Sequence, residues 1–433
     1  MSSLSRMFAA PAAAETAALV DALLRDPRRP GPAELPVRGA APLGGGAGGL
    51  SLPVHPPGLV LSGAGASTAP APGGAVPGGT APGGAPPAPG TAPATDPGTR
   101  VAAGAADPVP VLYCPPAVRD DPALGDEVDD RLVEWAAEVG VYPGQLDRVR
   151  SAGFGRLIML AHPETDDPDR LLAAAKCALA EWSVDDHYVD GEVEEARHDL
   201  LGQRLAIAHS VIDQAHLPRR YAPELERVVR ADPVAVALRD SIGNLGRYAT
   251  WQQVRRLRHE LAIMFVAYNQ EGVWYTTGQR PPVWEFLMHR HENSFVPCMA
   301  LIDPVAGYEL PAEQFGRPEV RRVFTLAGSA SVIVNDLYSM GKEDVDDFSL
   351  PRLIETEDGC TPREAMVRTV EIHDELMHTF EAEAAALAAT GPPELGRFLW
   401  GLWAWMGGSR EWHASTARYH RPAETAPVEP APA

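Results

Sequence analysis

From Ala123 onward, apolar residues recur at helical spacing in segment after segment, and no stretch sustains the alternation of a half-buried strand. Residues 127–139 show it plainly, with Val128, Leu132, Trp135 and Ala136 on one face. The spacing predicts further helices over 171–184, 196–212, 233–242, 251–267, 284–296, 318–340, 362–388 and 393–418, separated by Pro, Gly or Asn. Proline at or near several of the starts is the usual entry signal. Helices this long and this apolar have to pack on one another, so the expected fold is all-α, a bundle with a site in its centre.

The first 110 residues are of another kind. They hold 20 of the chain's 43 prolines, and Phe8 is their only aromatic side chain. Runs such as 73–79 cannot bury enough apolar surface to offset chain entropy, so residues 1–110 read as a disordered leader. The exception is a short amphipathic stretch over 15–24. Residues 111–421 then form one helical domain, and 422–433 a flexible tail.

Charge divides the chain in the same way. The leader carries six Asp/Glu against six Lys/Arg, so the net charge of −21 belongs to the rest. That argues against nucleic acid or an anionic membrane as partner, since both need a basic face. Cys114, Cys177, Cys298 and Cys360 are scattered, which fits neither a zinc site nor a disulfide framework. No apolar run reaches 18 residues and the N-terminus lacks a signal-peptide core, so the chain reads as cytoplasmic.

Two segments carry chemistry. In a helix, Asn335, Ser339 and Glu343 stand one turn apart on one face and present three oxygen atoms together. Oxygen ligation of this kind suits Mg²⁺, which prefers to share a substrate phosphate, and Lys342 adds a point charge for that phosphate. The plainer reading is a polar helix face, but 326–334 just before it is small or apolar, as a buried helix should be. The second segment is Asp185, Asp186 and Asp190, at the end of the helix over 171–184, with Asp190 one turn past Asp186. Most aspartate clusters in so acidic a chain are solvated helix ends. This one follows a helix without turn residues, whereas the others sit beside Pro or among exposed charges. His289 and His291 diverge on a helix at their spacing of two, which speaks against a metal site there.

Together these segments resemble the paired motifs of class I terpene synthases, the isoprenoid synthase helical bundle with a central active-site cavity. That family carries an aspartate-rich motif on one helix and an Asn-Asp-x-x-Ser-x-x-Lys-Glu motif on another. Arg418-Tyr419 resembles the family's Arg-Tyr pair that hydrogen-bonds the diphosphate. Arg290, 45 residues before Asn335, stands where the family places its diphosphate-sensing arginine, with His289 the neighbouring candidate. Trp412 falls where the family places a cavity aromatic, and Trp182, close to Asp185, is a second candidate for stabilising a cation.

The segments 112–116, 154–160 and 182–190, behind the Pro/Gly/Ala leader, look like those of the bacterial 2-methylisoborneol synthases. This resemblance implies Mg²⁺, three ions, as cofactor, and cyclisation of 2-methylgeranyl diphosphate supplied by a geranyl diphosphate C-methyltransferase. It also implies a homodimer. A 2-methylenebornane synthase, or a cyclase of geranyl or farnesyl diphosphate, shares these motifs. A chain-elongating prenyltransferase would carry a second aspartate-rich motif in place of Asn335 to Glu343. A non-catalytic helical scaffold whose Pro-rich leader binds partners is the reading of another class.

Overall fold

The computed structural model describes residues 109–340 and 348–419; the leader, most of the tail, Lys342 and Glu343 lie outside the described residues. Among the described residues every regular element is helical. They run α1 (Pro122–Val139), α2 (Leu146–Ala152), α3 (Phe154–Ala161), α4 (Pro168–Val184), α5 (Leu201–Ile212), α6 (Ala222–Ala231), α7 (Pro233–Leu245) and α8 (Trp251–Thr277). After α9 (Val283–Glu292) come three single turns, then α10 (Pro318–Ser339), α11 (Leu350–Asp358), α12 (Pro362–Thr390) and α13 (Pro393–Ser415).

Local chemistry sets most of the starts. Asp121, Asp167 and Asp232 accept from backbone N–H groups of the first turns of α1, α4 and α7, each with Pro just inside. Thr250 and Thr361 close reciprocal capping boxes with Gln253 and Glu364 at the heads of α8 and α12. Gly140, Gly278 and Gly359, all at positive φ, end α1, α8 and α11.

The expected all-α bundle is present, with several bounds displaced. α8 continues to Thr277, ten residues past the predicted end, because no Gly or Pro interrupts it before Gly272, whose lack of a side chain admits Leu201. The stretch expected to begin at 196 opens instead with a 3-10 turn, His198–Leu200. α9 stops at Glu292 and α13 at Ser415. Helices α2, α3, α6 and α11 were not predicted. Each is ten residues or shorter, too few to display a clear apolar period.

α10 lies along α12 and α13, α3 lies against α1 and α13, and α4 packs on α7 and α1. One cluster joins Leu132, Leu157, Leu179, Phe324, Phe398 and Trp405 through the middle of the bundle. Two glycines allow close approach of backbone to backbone. A Cβ on Gly408 of α13 would meet the backbone of Leu160 at 2.5 Å, and one on Gly155 of α3 would meet the Asp129 nitrogen at 2.5 Å. α13 is thereby drawn against α3, which sets the height of the C-terminal segment over the site. No described helix is long and apolar enough to cross a membrane.

Candidate active site

A cavity of about 670 Å³ opens where α4, α8, α9, α10 and the segment after α13 converge. Such a volume lies within the ~300–1,000 Å³ usual for small-molecule sites. Trp182, Asp185 and Asp190 line one wall, Asn335 and Ser339 another, and Arg290, Arg418 and Tyr419 complete the polar rim. Eight of the residues singled out in the sequence therefore face one space.

The acidic wall is shaped by a backbone irregularity. α4 passes directly into a π-helical turn, Asp185–Val189, in which the Asp190 N–H donates to the Asp185 carbonyl at 3.0 Å. In an unbroken α-helix Asp186 and Asp190 would share a face and Asp185 would diverge from Asp190. The wider turn reverses that arrangement. Asp185 and Asp190 line the cavity, while Asp186 is wholly buried behind them. The expectation that Asp190 stacks on Asp186 is corrected on this point.

Asp186 serves the wall from behind. Its carboxylate accepts from Arg418 Nη2 at 2.9 Å and from the Tyr142 hydroxyl at 2.8 Å. Tyr142 holds a left-handed backbone, φ 54°, an unusual state for a non-glycine residue. Desolvation, followed by the carboxylates of Asp190, Glu271 and Asp186, pushes the Asp185 carboxyl well above its ordinary value, with Arg418 opposing. A cation placed there would relieve that repulsion.

The second wall is the last two turns of α10. Asn335 Nδ2 donates to the Tyr419 hydroxyl at 2.8 Å and lies 3.3 Å from His413 Nε2. His413 Nδ1 lies 2.8 Å from the Ser409 carbonyl, an acceptor, so Nδ1 carries the proton and Nε2 accepts. The bonds that hold Asn335 are thus made by its amide nitrogen. Ser339, 2% exposed, has a hydroxyl with no hydrogen-bond partner among the described residues. Next to Asn335, Asp336 is fully buried and pairs with Arg290 Nη2 at 2.6 Å.

Arg290 lines the cavity. His289 does not, and its Nε2 lies 3.2 Å from Glu271, which also accepts from Asn293. Trp412 departs from the expectation of a cavity aromatic. It is fully buried, donates from Nε1 to the Ala152 carbonyl at 2.8 Å, and stands edge-on behind Trp182 with ring centres 6.1 Å apart. Trp182, Tyr268, Tyr275, Phe295 and Phe348 supply the aromatic lining instead. Thr416 places the C-terminal pair, since its hydroxyl donates to the Ala152 carbonyl at 2.8 Å and receives the Arg418 N–H at 3.2 Å.

Sequence reasoning missed Arg148, Glu181, Tyr268 and Glu271, all of which line the cavity. Glu181 stands one turn before Asp185, and that spacing was the available signal. The others sit in no local motif.

Among the described residues no three His, Cys, Asp or Glu side chains converge as a preformed metal cluster. The donors divide between two walls and include an amide and a hydroxyl. Asp185, Asp190, Asn335 and Ser339 offer oxygen, and the buried, unpartnered Ser339 hydroxyl fits a hard divalent cation.

A buried helical cavity with facing aspartate and Asn/Ser walls defines the class, and comparison with known proteins agrees: the chain belongs to the terpene synthase family. Residues 176–379 match the family model for terpene synthase family 2, C-terminal metal binding. The chain is similar to the 2-methylisoborneol synthase of Streptomyces lasalocidi, 41% identical over 327 residues, covering 72% of this chain and 66% of that protein. It is 40% identical over 326 residues to the 2-methylisoborneol synthase of Streptomyces coelicolor, covering 72% of each. The crystal structure of the Streptomyces coelicolor enzyme with Mg²⁺ and 2-fluoroneryl diphosphate matches with TM-score 0.68 at 39% identity, covering 72% of this chain and 98% of that one. The resemblance read from the two motifs is borne out.

Proposed function

We propose that this protein is a Mg²⁺-dependent terpene cyclase that converts 2-methylgeranyl diphosphate and water into 2-methylisoborneol and diphosphate. The observation that carries the reading is the sharing of one cavity by Asp185, Asp190, Asn335, Ser339, Arg290 and Arg418-Tyr419. The similarity to 2-methylisoborneol synthases at about 40% identity supports the particular substrate and product.

Asp185 and Asp190 from one wall and Asn335 and Ser339 from the other would hold the cations, with Glu343 as a further ligand outside the described residues. When bound, Mg²⁺ neutralises the negative charge that develops on a departing diphosphate. Arg290, Arg418, Tyr419 and Lys342, the last also outside the described residues, donate to diphosphate oxygens and favour the developing charge over the ground state. Asp186 and Asp336 keep the two arginines extended toward the cavity. The aromatic lining excludes water and faces the cationic chain with ring π-electrons instead of nucleophiles. Trp182, tilted against Phe295 with ring centres 5.4 Å apart, is the aromatic best placed for that work.

Residues 111–421 are the catalytic domain in this reading. Supply of the substrate by a geranyl diphosphate C-methyltransferase and assembly as a homodimer belong to it too, the latter supported by Trp284 and Met288, exposed one turn apart on α9. Four free thiols support a reducing, cytoplasmic setting.

The deciding experiment incubates the purified protein with Mg²⁺ and 2-methylgeranyl, geranyl or farnesyl diphosphate, with gas-chromatographic product analysis. A predominant methylated bornyl alcohol from the first substrate is expected. No Mg²⁺-dependent diphosphate release from any of the three would overturn the reading.

A further inference from the structure

Among the cavity carboxyls that the scheme above leaves unused, Glu181 has an oxygen without a partner. Glu181 projects from α4 one turn before Asp185 and lines the cavity beside Trp182, yet is only 5% exposed. Its Oε1 has no hydrogen-bond partner among the described residues, while Cys298 Sγ lies 3.1 Å from Oε2. The groups that face it are Cys177, Cys298 and Tyr268. None carries a positive charge, so this is not the place of an ion pair. A buried polar atom without a partner is costly, and such atoms beside a roomy polar space take up water.

We propose that Glu181 Oε1 holds the water molecule that ends the reaction, and so decides whether the last cation leaves as an alcohol or as an olefin. This rests on the cyclase reading above. Nothing in that reading or in the two motifs assigns a residue to the water.

The chemistry needs an acceptor that does not itself attack. An ionised carboxylate beside the hydrocarbon chain, with no cation or hydrogen-bond donors to engage it, would capture the allylic cation as an ester. Burial pushes the Glu181 carboxyl up to about 8, with the Cys298 contact opposing, so near neutral pH it is mostly the uncharged acid. The Cys298 thiol donates to Oε2, so Oε1 is the oxygen left without a partner. In the uncharged acid Oε1 keeps a lone pair that accepts an O–H from water. The water oxygen then bonds to the cationic carbon and becomes an oxonium. That oxonium gives one proton to the diphosphate released earlier in the same turnover, and Glu181 ends as protonated as it began.

Glu181→Gln keeps an acceptor at the position and Glu181→Met removes it at similar volume. With 2-methylgeranyl diphosphate and Mg²⁺, alcohol and olefin products are separated by gas chromatography while diphosphate release is timed in parallel. Glu181→Gln is expected to stay within threefold of the parent in alcohol-to-olefin ratio. Glu181→Met is expected to lose at least tenfold in that ratio while releasing diphosphate within threefold of the parent rate. An unchanged ratio in Glu181→Met overturns the proposal, as does loss of diphosphate release in both folded variants, which would place Glu181 in ionisation. A parent enzyme that forms only olefin from this substrate overturns the water-holding role, whereas one that releases no diphosphate sinks the cyclase reading itself, a separate result.

Discussion

Arg418 Nη2 stands 2.9 Å from Asp186 Oδ1, so a cation on the C-terminal segment is paired with the aspartate that follows Asp185. The opposite wall repeats the arrangement, with Arg290 Nη2 at 2.6 Å from Asp336, the residue that follows Asn335. In each motif one residue faces the cavity and its neighbour in sequence anchors an arginine. Motif positions that read as equivalent ligands therefore divide into two tasks.

Asp185→Asn and Asp186→Asn should separate those tasks. Asp185→Asn is expected to weaken apparent Mg²⁺ affinity by about 10–100-fold with little change in melting temperature. Asp186→Asn leaves Arg418, 8% exposed, beside a neutral amide and should cost ~3–5 kcal/mol of stability. Mg²⁺ titration of diphosphate release and thermal melts of both variants give the readouts. Equal effects on both measurements would refute the division.

Asn335→Ala is expected to abolish turnover while the fold survives, since Asn335 is only half buried at the cavity surface. Diphosphate release at saturating Mg²⁺ should fall by at least 100-fold, with an unchanged far-UV circular dichroism spectrum. Near-parent activity would remove Asn335 from the proposed ligand set.

Gly408→Ala tests the packing that seats the C-terminal segment. The added carbon would lie 2.5 Å from backbone atoms of Leu160, which cannot swing aside as a side-chain tip can. A loss of ~1–3 kcal/mol in urea unfolding is expected from such overpacking. A stability within 0.5 kcal/mol of the parent would mean that α3 and α13 shift apart freely (~0.5 kcal/mol being the spread of a neutral substitution).

Part of the acid lability should be traceable to His162, which does not line the cavity. Burial, and then Arg119, hold its imidazole at about 3 instead of 6.5. The folded value lies below the unfolded one, so between these limits the unfolded chain binds a proton that the folded protein refuses. This contribution is full above 6.5 and falls as pH drops toward 3, at ~1.4 kcal/mol per pH unit. Urea midpoints at pH 7.5 and pH 5 should therefore converge in His162→Gln relative to the parent. An identical pH dependence in both would exclude His162 as the cause.

Much of this was readable in advance because it is local. Asp before Pro and Thr three residues before Glu mark helix starts without tertiary help, and Asn335 and Ser339 share a face because α10 is regular to its end. The acidic wall was misjudged for a physical reason. Its spacing was read on the 3.6-residue period, and a π-turn changes that period within five residues without a distinctive composition. Trp412 was misplaced because which side of a tryptophan-rich helix faces the cavity is fixed by its neighbours. Here Phe154 and the Ala152 carbonyl draw the ring inward. Glu271 and Tyr268 reach the site only through the folding of α8, which no short motif announces.

Arg418 ties to Asp186 and Tyr419 ties to Asn335, so two adjacent residues near the end of the chain buckle both walls at once. A purification tag, fusion partner or protease nick placed before that dipeptide would unfasten both sides in a single cut, whereas the same graft beyond it leaves the buckle closed. Carboxy-terminal engineering of this enzyme should therefore begin downstream of Tyr419.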